Sequence, residues 1–324
     1  MRGGVTLLHR PVPRLSLNGR PMAEPTTPRV IETAPVATAR RGTVGRRLVD
    51  LPWWLFAIIA LILWVGTVIL TQPNYLEAFT RISGTYRGLL GMLQAGIFVT
   101  IGVSLSAYLI AILLGLITGL GRMSRNVFLR NAARTYIELV RGIPMLVLIF
   151  FIALVGVPAA VDLINGIGEW FGSHGLTGLA SLFSGMENQA VPMVVRAIIA
   201  LAVTYGAFLA EIFRAGIQSI GRGQMEAARS LGMGYGQAMR YIILPQAIRN
   251  ILPALGNDFV SMVKDSSLVS LLAVRDMTQM AKVYSGSTFR FREAYVTLSI
   301  LYLTMTVTLS LGVQAIERRL RKHE

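Results

Sequence analysis

Cysteine is absent from the 324 residues, which excludes a disulfide framework, a thiolate nucleophile, an iron–sulfur cluster and any cysteine-ligated zinc. Histidine is almost as rare. His9, His174 and His323 all fall outside the apolar runs, so neither a histidine triad nor a histidine-rich metal site is at hand. Charged residues make up 15% of the chain, against about a quarter in an ordinary soluble domain. Of the 31 basic residues only Lys264, Lys282 and Lys322 are lysine, and none follows a glycine. With no G-x-x-x-x-G-K-[ST] phosphate loop, the chain is not expected to hydrolyse a nucleotide itself.

What the chain has instead is apolar length: 53% hydrophobic residues and a mean hydropathy of +0.58. A helix rising 1.5 Å per residue needs roughly 20 apolar residues to cross about 30 Å of hydrocarbon. Six runs qualify: Trp53 to Leu70, Met92 to Leu120, Tyr136 to Val157, Pro192 to Phe213, Ala247 to Leu272 and Tyr295 to Ile316. The fifth is interrupted by Pro253, Asp258, Lys264 and Asp265, which predicts a kinked or partly immersed segment. The expected fold class is therefore an all-α polytopic membrane protein with about six transmembrane helices.

The net charge of +15 argues for the positive-inside rule rather than for nucleic acid, because the arginines flank apolar runs. Residues 1–52, 122–141, 214–249 and 318–322 carry 23 Lys+Arg, while the alternate segments carry six. Both termini are thus expected in the cytoplasm. Arg275, Lys282, Arg290 and Arg292 strain that assignment and leave a re-entrant path open near 273–294. Residues 1–50 hold six prolines and little apolar periodicity, the composition of a disordered tail. Arg46-Arg47 before Trp53 reads as a signal anchor that stays, since no small-x-small cleavage site follows. Met22 is an alternative start.

Residues 158–191 form the longest outside connection. Leu163, Ile164, Ile167, Trp170 and Phe171 beside Asp162, Glu169 and Glu187 suit either a short interfacial amphipathic helix or a surface-packed loop. Gly115-x-x-x-Gly119 is a pattern for close helix approach. Polar groups in apolar runs are costly in lipid and usually face a bundle interior or a wet cavity. Those groups are Thr204, Glu211, Asn257, Asp258, Lys264, Asp265 and Ser266, with Asp258, Ser261 and Asp265 on one helix face. Either they line a path for a zwitterionic solute, or they form fixed ion pairs or a gate.

Between the fourth and fifth runs lies Gln224-Met225-Glu226-Ala227-Ala228-Arg229-Ser230-Leu231-Gly232, then nine residues, then Ile242-Ile243-Leu244-Pro245. The spacing predicts a short helix with Glu226 in its first turn, a stop at Gly232 and Gly234, and a second helix from Gln237 to Leu244 ended by Pro245. Such a helix-turn-helix has no catalytic groups but has the size of a rigid knob. Glu226, Ala227, Ala228, Gly232, Ile242, Leu244 and Pro245 match every position of the EAA loop, and the chain resembles the permease subunits of bacterial ABC importers.

Three further segments are similar to the polar amino acid branch of that family: Glu138-Leu139-Val140-Arg141-Gly142-Ile143-Pro144-Met145-Leu146-Val147, the stretch Gly206 to Ile220, and Lys264-Asp265-Ser266-Ser267-Leu268-Val269-Ser270. The resemblance covers about residues 86–320. It implies a five-helix permease domain over 86–320 with a coupling loop at 224–245, preceded by an additional helix and outside loop at 51–85. Phe208 and Ala215 depart from the family's usual Tyr and Gly, and the 158–191 loop is longer than its minimal form. The resemblance further implies a multi-pass subunit of the bacterial inner membrane that moves amino acids without being an enzyme. Its partners would be an ATPase subunit holding ATP and Mg, a second identical or different permease, and an extracytoplasmic amino-acid-binding protein; this chain would bind no cofactor, metal or nucleic acid. The alternative is a secondary transporter or channel driven by an ion gradient, with Lys264 and Asp265 as the ion-coupled site.

Overall fold

A computed structural model describes residues 53–85, 95–183, 185 and 187–321, all helical or connecting. The tail at 1–50 and the start of the second apolar run, including Met92, lie outside them. Helix α1 (Trp53–Thr71) is apolar on every side, and only Val65 and Ile69 are buried. That is the signature of a helix solvated by lipid. It rests lightly on Tyr75, Phe79 and Ile300. Helix α2 (Pro73–Ser83) starts on a proline, which suits the donor-free first turn. It buries Ala78 and Ile82 against Met277, Ala281 and Leu298, and an ion pair from Glu77 to Arg290 (2.9 Å) ties it down.

The core forms where α3 (Ile97–Arg122) meets α7 (Met193–Gln218), with α9 (residues 235–265) across them. Helices in lipid gain nothing from hiding apolar surface from one another, so close association depends on small residues that let backbones approach. Gly115 and Gly119 do this within the chain: a Cβ at Gly115 would lie 2.6 Å from Leu209 Cβ, and one at Gly119 would lie 2.8 Å from the Ala210 carbonyl oxygen. Ala107, Ala111, Ala197 and Ala200, all fully buried, continue the seam.

The third expected run is divided. Helix α4 (Val127–Gly142) is capped by Asn126, whose Oδ1 accepts from the Phe128 N–H (2.9 Å), and buries Ala133, Ile137 and Val140. Gly142-Ile143-Pro144 interrupts it, because the residue before a proline avoids the helical region. Helix α5 then runs unbroken over Met145–Ser173, so 158–173, expected as a connection, continues a helix. Helix α6 (Thr177–Phe183) packs back on it. Beyond α7 come α8 (Arg222–Ser230), α9, a 3-10 segment (Ser266–Leu272), α10 (Met277–Thr288) and α11 (Phe291–Arg321). Among the described residues, five helices are long and apolar enough to cross a membrane: α1, α3, α5, α7 and α11. The sixth expected span, within α9, is also helical, and its Asn257, Asp258, Lys264 and Asp265 make it more polar than the others.

Pro253 lies inside α9, and two further prolines stay inside helices for one shared reason. Pro158 follows a π turn at Ile152–Gly156, and Pro245 follows one at Met239–Ile243. In each the N–H just before the proline bonds five residues back, Val157 to Ile152 and Leu244 to Met239. In that register the next carbonyl would need the proline's missing N–H. At α5 the orphan is the Ala153 carbonyl, and Arg196 Nη1 donates to it at 3.3 Å. Arg196, 7% exposed, gives its other guanidinium bonds to the Val191 carbonyl, the Asn188 carbonyl and Asn188 Oδ1. This buried cation is therefore held by carbonyl dipoles rather than a carboxylate.

Asp276 caps α10, its carboxylate accepting from the N–H groups of Thr278 and Gln279. Burial raises its pKa to about 6 against those bonds. Thr100 of α3 accepts from the Met277 N–H, which joins α10 to the core.

Two measurements check this packing. Gly119→Leu should cost about 1–3 kcal/mol through overpacking, read as a lower thermal midpoint in detergent, whereas Gly66→Leu, with no atom within 4 Å of its Cβ position, should leave the midpoint unchanged. Arg196→Met leaves the Ala153 carbonyl without a donor, costing about 1–3 kcal/mol. The accompanying sign is faster amide exchange confined to 153–160 and 188–196.

Candidate functional site

Helix α8 starts at Arg222, four residues before Glu226. The acid therefore falls in the second turn, beyond the reach of the helix dipole that its expected first-turn place would exploit. Glu226 is exposed and makes no ion pair among the described residues. Ala227 is exposed and Ala228 buried. Gly232 ends the helix at φ +83°, with its N–H on the Arg229 carbonyl (3.0 Å) and the Met233 N–H on the Ala228 carbonyl (3.2 Å). This is a complete Schellman cap. A Cβ at Gly232 would meet nothing within 4 Å, so backbone conformation rather than space calls for glycine here.

The second arm differs from expectation. It begins at Tyr235, where Gln237 Oε1 accepts from the Gly234 N–H (3.0 Å), and it does not stop at Pro245. The π turn at Met239–Ile243 carries the ladder past the proline, and the helix continues to Asp265. Gln246 Nε2 adds a bond to the Ile242 carbonyl (2.7 Å). The hairpin presents Leu231, Tyr235, Tyr241 and Leu244 at 83, 62, 63 and 40% exposure. A fixed turn thus carries an apolar surface left exposed among the described residues.

Among the polar residues of the apolar runs, the structure separates fixtures from open groups. Thr204 is buried and donates to the Ala200 carbonyl of its own helix (2.7 Å), and Ser266, also buried, donates to the Val263 carbonyl (2.7 Å). Such back-bonding satisfies a hydroxyl without a ligand. Glu211 is held by Arg122 and by Arg214 (2.8 Å). Glu138 lies 3.8 Å from Arg122, so the segments around Glu138 and Glu211 meet on a residue that neither contains.

Asp258 and Asp265 are brought to one polar cluster. Tyr205 of α7 donates to Asp265 Oδ2 at 2.6 Å, a short charge-assisted bond. Tyr108 of α3 donates to the Leu255 carbonyl (2.5 Å), and its ring lies 5.0 Å from that of Phe259. Asp258 Oδ2 is buried and meets no donor among the described residues. A carboxylate oxygen in that state can accept from an ammonium group. Asn257 is exposed, and Ser261 donates to its carbonyl.

Lys264 stands apart from the two acids. It is exposed and lines crevices of about 280 and 350 Å³ beside α11, whose Ser299, Tyr302, Thr306, Ser310 and Gln314 recur every three or four residues along one face. Sequence reasoning missed this stripe, although the spacing was there to find. Tyr108, Tyr205 and Arg122 left no comparable signal, since their partners lie far away in sequence. Among the described residues no group of three or more His, Asp or Glu could hold a metal ion.

Comparison with known proteins agrees with this architecture. The family described as binding-protein-dependent transport system inner membrane component matches residues 111–322. The probable glutamine ABC transporter permease of Bacillus subtilis (strain 168) is 36% identical over 71% of this chain and 94% of its own length. The octopine transport system permease of Rhizobium meliloti is 31% identical over 64% of this chain and 81% of its own. Among solved structures, an amino acid ABC transporter crystallised with histidines superposes with a TM-score of 0.57 at 35% identity, covering 78% of this chain and 98% of that one. An inward-facing MetNI methionine ABC transporter, 17% identical with a TM-score of 0.52 over 69% and 94% of the two chains, shares the fold. With the family matched over most of the chain, and a relative sharing more than a third of the aligned residues, this chain belongs to the binding-protein-dependent transport system inner membrane components.

Proposed function

We propose that the chain is the permease subunit of an ATP-driven importer that moves polar amino acids into the cytoplasm. The observation that carries this reading is the hairpin at 222–245: a fixed turn, no catalytic group, and four large apolar side chains left uncovered. A separate ATPase subunit, which would bind ATP and Mg²⁺, is the partner such a knob fits. The names of the relatives, glutamine and octopine permeases, support an amino-acid cargo. Glu226, Ala227, Ala228, Gly232, Ile242, Leu244 and Pro245 form or shape the docking element. Nucleotide binding favours one arrangement of two such knobs over another and so shifts the population between inward- and outward-open states. A second permease, identical or different, completes the pore, and a binding protein delivers substrate at the opposite face. The arginine distribution supports a reading with both termini on the cytoplasmic side of a bacterial inner membrane.

For the substrate route, Asp258 and Asp265 supply acceptors for an ammonium group; Lys264, set apart on the α11 side, and the exposed Asn257 lie outside that cluster and would meet a solute only at another point of the route. Thr204, Glu211 and Ser266, satisfied internally, hold helices in place.

The test is uptake of labelled amino acids by proteoliposomes containing this chain, the second permease, the ATPase and the binding protein. A side chain other than glycine or asparagine at φ +83° costs about 1–2 kcal/mol. Gly232→Asn should therefore keep most uptake, and Gly232→Val should lose it while ATP hydrolysis continues uncoupled. Uptake by this chain alone along an ion gradient, unaffected by Gly232→Val, would replace the reading with a secondary transporter. In the same assay Asp258→Asn should lower uptake at least about tenfold, the loss of one charge-assisted bond, while Thr204→Val should leave it within about twofold. Equal effects from both would remove Asp258 from the substrate route.

A further inference from the structure

Arg275 is not used by the coupling hairpin or by the acidic cluster. It lies in the segment near 273–294 that strains the charge rule, and of the arginines there Arg290 pairs with Glu77 and Arg292 lies near Glu293. Arg275 has no carboxylate within ion-pair distance among the described residues. Its exposed side chain springs from a turn that the fold builds with care. Ala273, although not glycine, sits at φ +57°. The Asp276 N–H closes on the Val274 carbonyl (2.8 Å), the Gly96 N–H bonds the Arg275 carbonyl (2.9 Å), and Asp276 is fully buried. A non-glycine residue in the left-handed region persists only where its surroundings over-determine it.

Beneath this turn lies a groove of about 580 Å³ between the starts of α3 and α7. Its walls are apolar, with Phe98, Val103, Met193, Val194 and Ile198, and Arg275 stands at its rim. Its floor opens at Gly102, where an added Cβ would meet nothing within 4 Å. From Phe98 to Ser106 is eight residues, about 12 Å of helix. That depth fits within one leaflet, about 15 Å of hydrocarbon. A long apolar trough one leaflet deep, with an unpaired guanidinium at the membrane edge, matches a molecule with an alkyl chain and an anionic head. Guanidinium groups bind phosphate through paired N–H donors.

We propose that this groove binds a phospholipid, one acyl chain lying along α3 between Phe98 and Ser106 and the headgroup phosphate on Arg275. The lipid belongs to the leaflet that holds the N-terminal end of α3, the outer one under the orientation proposed above. It fills the seam where α3, α7 and the turn before α10 meet. Arg275 folds the turn through its backbone carbonyl and binds the lipid through its side chain, so the two roles can be separated.

The experiment uses the full chain reconstituted in phosphatidylcholine vesicles containing a phosphatidylglycerol with a photoactivatable group in its acyl chain. Cross-links are located by mass spectrometry. The wild-type chain should be labelled at 98–106 and 193–198. Arg275→Gln should lower labelling at those sites about tenfold while sparing the exposed positions Leu113 and Ile117. Gly102→Leu, which fills the floor, should do the same with Arg275 intact. Labelling of the groove at wild-type levels in both variants would overturn the proposal. So would disulfide cross-linking between two copies carrying Ser106→Cys, made interpretable by the absence of native cysteine, because the groove would then be the seat of a second chain. Neither readout involves transport, so the lipid site and the importer reading stand or fall separately.

Discussion

The close contact of α3 with α7 is the constraint on which the rest of the structure depends. In lipid it cannot be driven by excluding water, and it exists because Gly115 and Gly119 give up their side chains to Leu209 and Ala210. Once these backbones touch, the register of both helices is set along their length. Near the middle, Tyr108 and Tyr205 are turned toward α9, where one holds the Leu255 carbonyl and the other holds Asp265. At the end, Arg122 meets Glu211. A slip of one residue, about 1.5 Å and 100°, would disconnect both ends of this arrangement together.

Composition and spacing carried the larger features of the fold. Apolar runs located the helices because hydrocarbon thickness imposes a length, and the EAA spacing located the hairpin because a Schellman turn demands glycine at one place. Gly115-x-x-x-Gly119 announced a close approach, and its partner proved to be α7 of the same chain. The errors came where a local rule was overruled by a neighbour. Pro245 reads as a stop until the π turn is seen, and 158–173 reads as a connection although it continues α5. For Thr204 and Ser266 the sequence leaves path and fixture open, because it does not reveal that each hydroxyl bonds the carbonyl of its own helix. The role of Arg196 is not legible in the sequence, since its acceptors are carbonyls and carry no sequence signal.

The broken ladders also explain how polar groups survive inside the bundle. A proline in a membrane helix leaves a carbonyl that must find another donor, because no water is present to supply one. At α5 the donor is a guanidinium from α7, so the defect cross-links two helices. The chain can therefore keep a bend near the end of a span without leaving an unsatisfied polar group in lipid.

The second π turn has a different consequence. Because α9 does not stop at Pro245, one helix runs from Tyr235 in the exposed hairpin to Asp265 in the acidic cluster. Tyr235 and Asp258 are separated by 23 residues, about 35 Å of rise. A loop between them would absorb small displacements through its backbone torsions; a helix that stays continuous through Pro245 and Pro253 transmits more of the translation and tilt. Under the proposed function, movement of the hairpin by a partner would displace Asp258 and Asp265 directly, and Tyr205, fixed on α7 by the glycine seam, would be left behind. The bond from Tyr205 to Asp265 is then the contact that must break or lengthen as the states exchange. The widened turn that lets the helix pass Pro245 is the natural place for it to bend.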